Sequence, residues 1–135
     1  MKKGYFSHQI CYKSLLLNKH ILYLSSDDNT ILSILPFQQE VSLTTFCEGV
    51  LFVVIPEFEE KEQIFIDILK KQLDTNLKLT VGNAILNNPI YIDYTASEGK
   101  KCLLYSVTSV NWSTERPSQP GNIEIIKIKV WQIAI

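Results

Sequence analysis

His8, His20, Cys11, Cys47 and Cys102 hold all the imidazole and thiol chemistry in this chain. His8-x-x-Cys11 could be half of a metal site completed by Cys47 or Cys102, because zinc takes four such ligands. An odd separation on one continuous strand puts His8 and Cys11 on opposite faces, and neither Cys-x-x-Cys nor His-x-His spacing occurs. The other constellation is Cys47 with His20 and Asp27 or Asp28, a thiolate nucleophile activated by a base that a carboxylate orients. Its pocket would lie between sheet and helix, near Cys47, His20 and Tyr23. The bland alternative is Cys47 as a small buried apolar residue. Glu59, Glu60 and Glu62 are explained by the positive end of a helix dipole, and Asp27 and Asp28 by turn chemistry. The sequence has no Gly-rich phosphate loop, Gly-x-Ser-x-Gly elbow or His-Glu-x-x-His. The expectation is no metal and no cofactor, and a binding module in preference to an enzyme.

Lys127, Lys129 and Trp131 share one face of the last strand, with Lys100 and Lys101 available across a hairpin. Such a cationic and aromatic platform suits single-stranded nucleic acid. It equally suits the solvated side of an edge strand whose lysines discourage aggregation. Net charge is −1, and Arg116 is the only arginine among thirteen basic residues. Bidentate recognition of phosphate and guanine relies on arginine, so nucleic acid is not the expected partner.

The elements that would position these residues are organised around one stretch. Gly49-Val50-Leu51-Phe52-Val53-Val54-Ile55 is apolar without a break after its glycine, as in a strand covered on both faces. Pro56 fits the first turn of a helix over 57–74, whose Phe58, Phe65, Ile66, Ile68, Leu69 and Leu73 make one apolar face. Asn76 is its expected left-handed cap. Before it, strands are expected over 4–12, over 15–24 with either a hairpin or a bend at Asn18-Lys19, over 31–35 and over 41–46. Ser25 to Thr30 forms a polar loop between two of them. After the helix the pattern predicts strands only: 77–85, 90–96, 102–112 and 123–135. Turns fall at Asn87-Asn88-Pro89, at Ser97 to Lys100 and at Ser118-Gln119-Pro120-Gly121. The fold class is α+β, a mainly antiparallel sheet or small barrel on one amphipathic helix.

At 135 residues, 46% apolar and 20% charged, the composition is that of one globular domain over 1–135. The start is too polar for a signal peptide, and no stretch approaches the roughly 18 apolar residues of a membrane helix. Three widely spaced cysteines fit reduced thiols. A cytoplasmic chain with no membrane contact is expected.

Two resemblances add to this. Residues 15–56, with Leu17-Asn18-Lys19-His20-Ile21-Leu22-Tyr23-Leu24, Asp28-Asn29-Thr30-Ile31-Leu32-Ser33-Ile34, Phe46-Cys47-Glu48-Gly49-Val50-Leu51 and Ile55-Pro56, resemble the small N-terminal β-sandwich of amidohydrolases. In that family the segment leads into a metal-binding His-x-His. Here Glu57-Phe58-Glu59 follows Pro56 with no histidine downstream, so no ligand carries over and only the non-catalytic part is implied. The order of elements from residue 49 onward is similar to the tail-tube fold of phages and type VI secretion systems, which implies ring-forming subunits. The expected function is therefore protein binding or self-association through sheet edges. The candidate edge carries Ile125, Lys127, Lys129, Trp131, Ile133 and Ile135.

Overall fold

The computed structural model describes residues 2–38, 44–119 and 121–128. In chain order its strands are β1 (Lys2–Tyr12), β2 (Leu15–Ser25), β3 (Ile31–Pro36), β4 (Thr44–Phe46), β5 (Val50–Val54), β6 (Leu103–Thr108), β7 (Val110–Asn111), β8 (Arg116–Pro117) and β9 (Glu124–Ile128). Between β5 and β6 a 3₁₀ turn, Pro56–Lys61, leads into α1 (Glu62–Thr75), followed by α2 (Val81–Leu86) and α3 (Pro89–Asp93). The main sheet runs β3-β2-β1-β5-β6-β9, with β7 and β8 as a separate hairpin. Only β4 and β5 run parallel to their neighbour β1, so the α+β sheet is mostly antiparallel, as expected.

Every residue of β5 is wholly buried, and the strand is central, with β1 on one side and β6 on the other. Its alternate side chains feed two cores. Val50, Phe52 and Val54 meet Phe58, Phe65, Leu69 and Leu73 beneath the helices, while Leu51 and Val53 join Tyr5, Ile10, Leu22, Leu24 and Leu104 on the opposite face. No helix covers the second core among the described residues; the sheet curls over it. Backbone bonds from Ile31 N–H to the Lys100 carbonyl (2.9 Å) and Gly99 N–H to the Ile31 carbonyl (2.8 Å) tie the start of β3 to the lead-in of β6. These bonds fall in the expected Ser97–Lys100 turn, which Lys100 N–H closes onto the Ser97 carbonyl at 3.0 Å.

β4 and β5 occupy successive parts of one edge of β1, beside Gly4–Phe6 and Gln9–Cys11 respectively. Cys47, Glu48 and Gly49 form the step between them. Two buried hydroxyls hold it: Ser7 Oγ donates to the Gly49 carbonyl at 2.6 Å, and Ser106 Oγ donates to the Glu48 carbonyl.

Several expectations are corrected. The strands expected over 77–85 and 90–96 are the short helices α2 and α3. Thr80 Oγ1 accepts from Asn83 N–H at 3.3 Å and caps α2, and Asn88 Oδ1 accepts from Ile90 N–H at 2.9 Å and caps α3, with Pro89 in its first turn. Leu77, Leu79 and Val81 share no face: Leu77 is exposed in a turn, whereas Val81 is buried as the first residue of α2. The Asn18-Lys19 alternatives resolve to a bend: β2 is one strand through Lys19, whose φ is 54°. The strand expected over 102–112 breaks at Ser109, φ 60°, between β6 and β7. Asn76 is extended, φ −123°, not left-handed. Residues 41–43 of the strand expected over 41–46 lie outside the described residues, as does Pro120.

Candidate functional site

The two constellations the sequence offered are not assembled. His8 is exposed on β1, whereas Cys11 is wholly buried beneath α2, its thiol directed at the Gly82 carbonyl (3.6 Å). Among the described residues no group of three His, Cys, Asp or Glu side chains could hold a metal. Cys47 sits in the second core, and His20 Nδ1 lies 2.8 Å from the Asn18 carbonyl. Asp27 and Asp28 follow the far end of β2, five strand positions from His20, or roughly 17 Å at ~3.3 Å per residue. No triad forms.

All three cysteines are free and buried. Burial pushes the Cys47 thiol up to about 11 and the Cys102 thiol up to about 12 from an ordinary 9.0, and raises Cys11 as well. These thiols are packing groups. Ionisation above pH ~9 is open to them only in the unfolded chain, so their contribution is complete below that pH. It is lost as pH rises toward the folded values, by up to about 1.4 kcal/mol per unit for each thiol. Urea midpoints should therefore be flat near neutrality and fall through the alkaline range, with no thiol labelled by a disulfide reagent in the native chain near neutral pH. Rapid native labelling of Cys47 would restore the nucleophile.

Of the candidate edge, Ile125 and Lys127 lie in β9; Lys129, Trp131, Ile133 and Ile135 lie outside the described residues. Among the described residues β9 pairs with β6 and ends the sheet. Lys127 Nζ is 2.5 Å from Glu59 Oε2, an exposed pair between β9 and the 3₁₀ turn. Lys100 and Lys101 lie at the turn that meets the start of β3.

Arg116, read in the sequence only as a scarcity, closes the end of α1. Its guanidinium donates to the Leu73 carbonyl (2.8 Å), one of those a helix terminus leaves unpaired, and to the carbonyls of Asn76 (2.9 Å) and Leu79 (2.5 Å) in the segment that follows. The positive charge also meets the negative end of the helix dipole. Arg116→Ala should cost about 2 kcal/mol, near the low end for charged hydrogen bonds because the site is half-exposed. Arg116→Lys should recover only part of it, since an ammonium cannot span three carbonyls as a planar fork does. Thermal unfolding of both variants checks this.

The feature that sequence reasoning missed is an exposed aromatic row. Phe6 lies 4.9 Å from Phe37 and 5.7 Å from Phe46, centroid to centroid; His8 lies 5.8 Å from Phe46 and 5.4 Å from Trp112. Phe46 is 58%, Phe37 40% and Trp112 38% exposed, too much for a core. Phe6 and His8 share a face of β1 by period two, which is the one part of the row the sequence could have disclosed. β4 brings Phe46, the end of β3 brings Phe37, and the β7–β8 hairpin brings Trp112.

The row ends in a pocket of about 450 Å³ between Trp112 and His8, lined also by Gln9, Asn18, Lys19 and Glu115. Gln9, 5% exposed, donates from Nε2 to the Glu115 carboxylate, and its Oε1 has no partner among the described residues. Lys19 and Glu115 both take positive φ, 54° and 58°, a conformation non-glycine residues adopt at a cost. A second hollow of about 510 Å³, between Lys13 and Ile92, has its phenol already engaged, Tyr91 donating to the Lys13 carbonyl at 2.6 Å.

No family model matches the chain, and no solved structure matches it. Among curated proteins it is similar to Chaperonin GroEL of Wolbachia pipientis subsp. Culex pipiens (strain wPip), 36% identical over 69 residues, which is 51% of this chain and 12% of that protein. Chaperonin GroEL of Wolbachia sp. subsp. Drosophila simulans (strain wRi) is 37% identical over 54 residues, 40% of this chain and 10% of its own length. The chain thus spans about a tenth of the relatives it matches. Among the described residues no helix is long and apolar enough to cross a membrane.

Proposed function

We propose that this chain is a non-enzymatic binding and assembly module that takes a protein strand, from another copy or another protein, along the outer edge of β9. The observation that carries the reading is the position of β9: it ends the sheet, with its outer backbone edge unpaired among the described residues and Ile126 48% exposed. Unpaired backbone groups on an edge are a template for an added strand. Glu124 and Lys127 are charges of the kind that restrain unselective pairing, and Glu59 holds Lys127. Self-association along this edge would give a dimer, or the ring that the likeness to tail-tube folds implies.

The test is solution mass by light scattering over a concentration series, for the full chain and for one ending at Val130. An oligomer that becomes a folded monomer on truncation supports assembly through the last strand. A full chain that stays monomeric and captures no partner through this strand overturns the reading, as does an oligomer unaffected by truncation.

A further inference from the structure

We infer that the pocket between Trp112 and His8 binds a neutral sugar residue, and that the aromatic row beyond it carries the adjoining residues of an oligosaccharide. This is separate from the β9 edge and does not depend on it. A pyranose has two kinds of surface, a C–H face that packs on an aromatic ring and a rim of hydroxyls that each donate and accept. The pocket supplies both. Trp112 and His8, 5.4 Å apart with ring planes at 63°, form an angled apolar wall. Asn18, Lys19 and Glu115 complete the lining, residue types that can donate to and accept from sugar hydroxyls. Gln9 braces this wall from beneath, its Nε2 committed to Glu115 and its buried Oε1 turned toward Gly82 of α2.

Charge decides against the nearest competitor. A nucleotide also stacks on aromatic rings, but its phosphates need cations, and the pocket offers Lys19 alone beside the opposing Glu115. The chain's one arginine is spent on the end of α1. A neutral ligand asks for no such neutralisation. The continuation through Phe46, Phe6 and Phe37, at centroid steps of 4.9 to 5.8 Å from His8 onward, gives apolar footing past the pocket. Small pockets with a few convergent polar groups and an aromatic wall are the usual form of such sites.

The experiment is calorimetric titration of the full chain with glucose, galactose, N-acetylglucosamine, maltotetraose, cellotetraose and chitotetraose, alongside AMP and a proline-rich peptide. The expected result is saturable binding of at least one tetrasaccharide, tighter than its monosaccharide, weakened about tenfold or more by Trp112→Ala, with AMP and the peptide inert. Glu115→Gln, which keeps the shape and removes the charge, should weaken it less than Trp112→Ala. Trp112 is at the surface, so matching thermal unfolding of wild type and variant separates loss of the site from loss of the fold. The inference is overturned if no sugar reaches half-saturation by about 10 mM, ten times a weak ~1 mM constant. Binding that Trp112→Ala leaves unchanged overturns it, and so does AMP or the peptide binding in a Trp112-dependent way.

Discussion

Gly49→Ala should lower stability by about 2 to 5 kcal/mol, a large part of the roughly 5 to 15 kcal/mol that holds a domain folded. Two costs combine. Gly49 has φ +89°, where a side chain costs about 1–2 kcal/mol. A Cβ there would also run into the Val107 carbonyl and lie 2.7 Å from Ser106 Oγ. These are backbone and buried groups of β6, the neighbour of β5, and moving them costs about 1–3 kcal/mol more. The damage would be central, because Gly49 is the step that lets one edge of β1 carry both β4 and β5. Gly99→Ala supplies the comparison: φ is +85°, yet nothing lies within 4 Å, so only the backbone cost of about 1–2 kcal/mol applies. Urea unfolding of both variants measures the difference. Equal losses would show that Gly49 is chosen for conformation alone and that β6 yields to the added methyl.

The same contrast between local and distant causes governs what the sequence disclosed. β5 was legible because a run of buried residues needs no partner to be recognised, and the buried face of α1 because Phe58, Phe65, Leu69 and Leu73 repeat with the helix. α2 and α3 were not, since six and five residues are too few to separate a helical period from alternation. Their signals are the caps, Thr80 before Asn83 and Asn88 before Pro89, residue types that suit a strand or a turn as well. Asn88 shows why: its amide also donates to the Phe65 carbonyl at 3.1 Å, a reason for a buried asparagine that lies 23 residues away. Arg116 likewise acts on carbonyls about 40 residues back. The aromatic row is distant in the same sense. Only Phe6 and His8 are placed together by their own strand; Phe37, Phe46 and Trp112 arrive by strand order, and Gln9 becomes a pocket residue through Glu115.

Phe52→Ala should cost about 3 to 5 kcal/mol, the range for emptying a buried phenylalanine site. The upper half is expected because four rings surround this one. Tyr105 stacks on it at 5.5 Å and 14°, Phe65 lies at 5.0 Å, and Phe58 and Tyr91 meet it edge-on at 5.7 and 6.1 Å. Such pairs contribute about 0.5–1.5 kcal/mol beyond area, so deletion loses several contacts together with the buried surface. The ring also joins layers: Phe52 pairs with Cys11 across β1 and β5 and with Tyr105 across β5 and β6, and it faces the 3₁₀ turn, α1 and α3. Phe52→Leu fills most of the space without the ring and should cost less than the alanine variant. Denaturant midpoints with near-ultraviolet circular dichroism test this, the dichroism reporting whether the remaining rings keep their order. If leucine and alanine prove equally costly, the ring contacts matter more than the volume; if both cost under about 1.5 kcal/mol, the core repacks freely and the cluster does not hold the helices to the sheet.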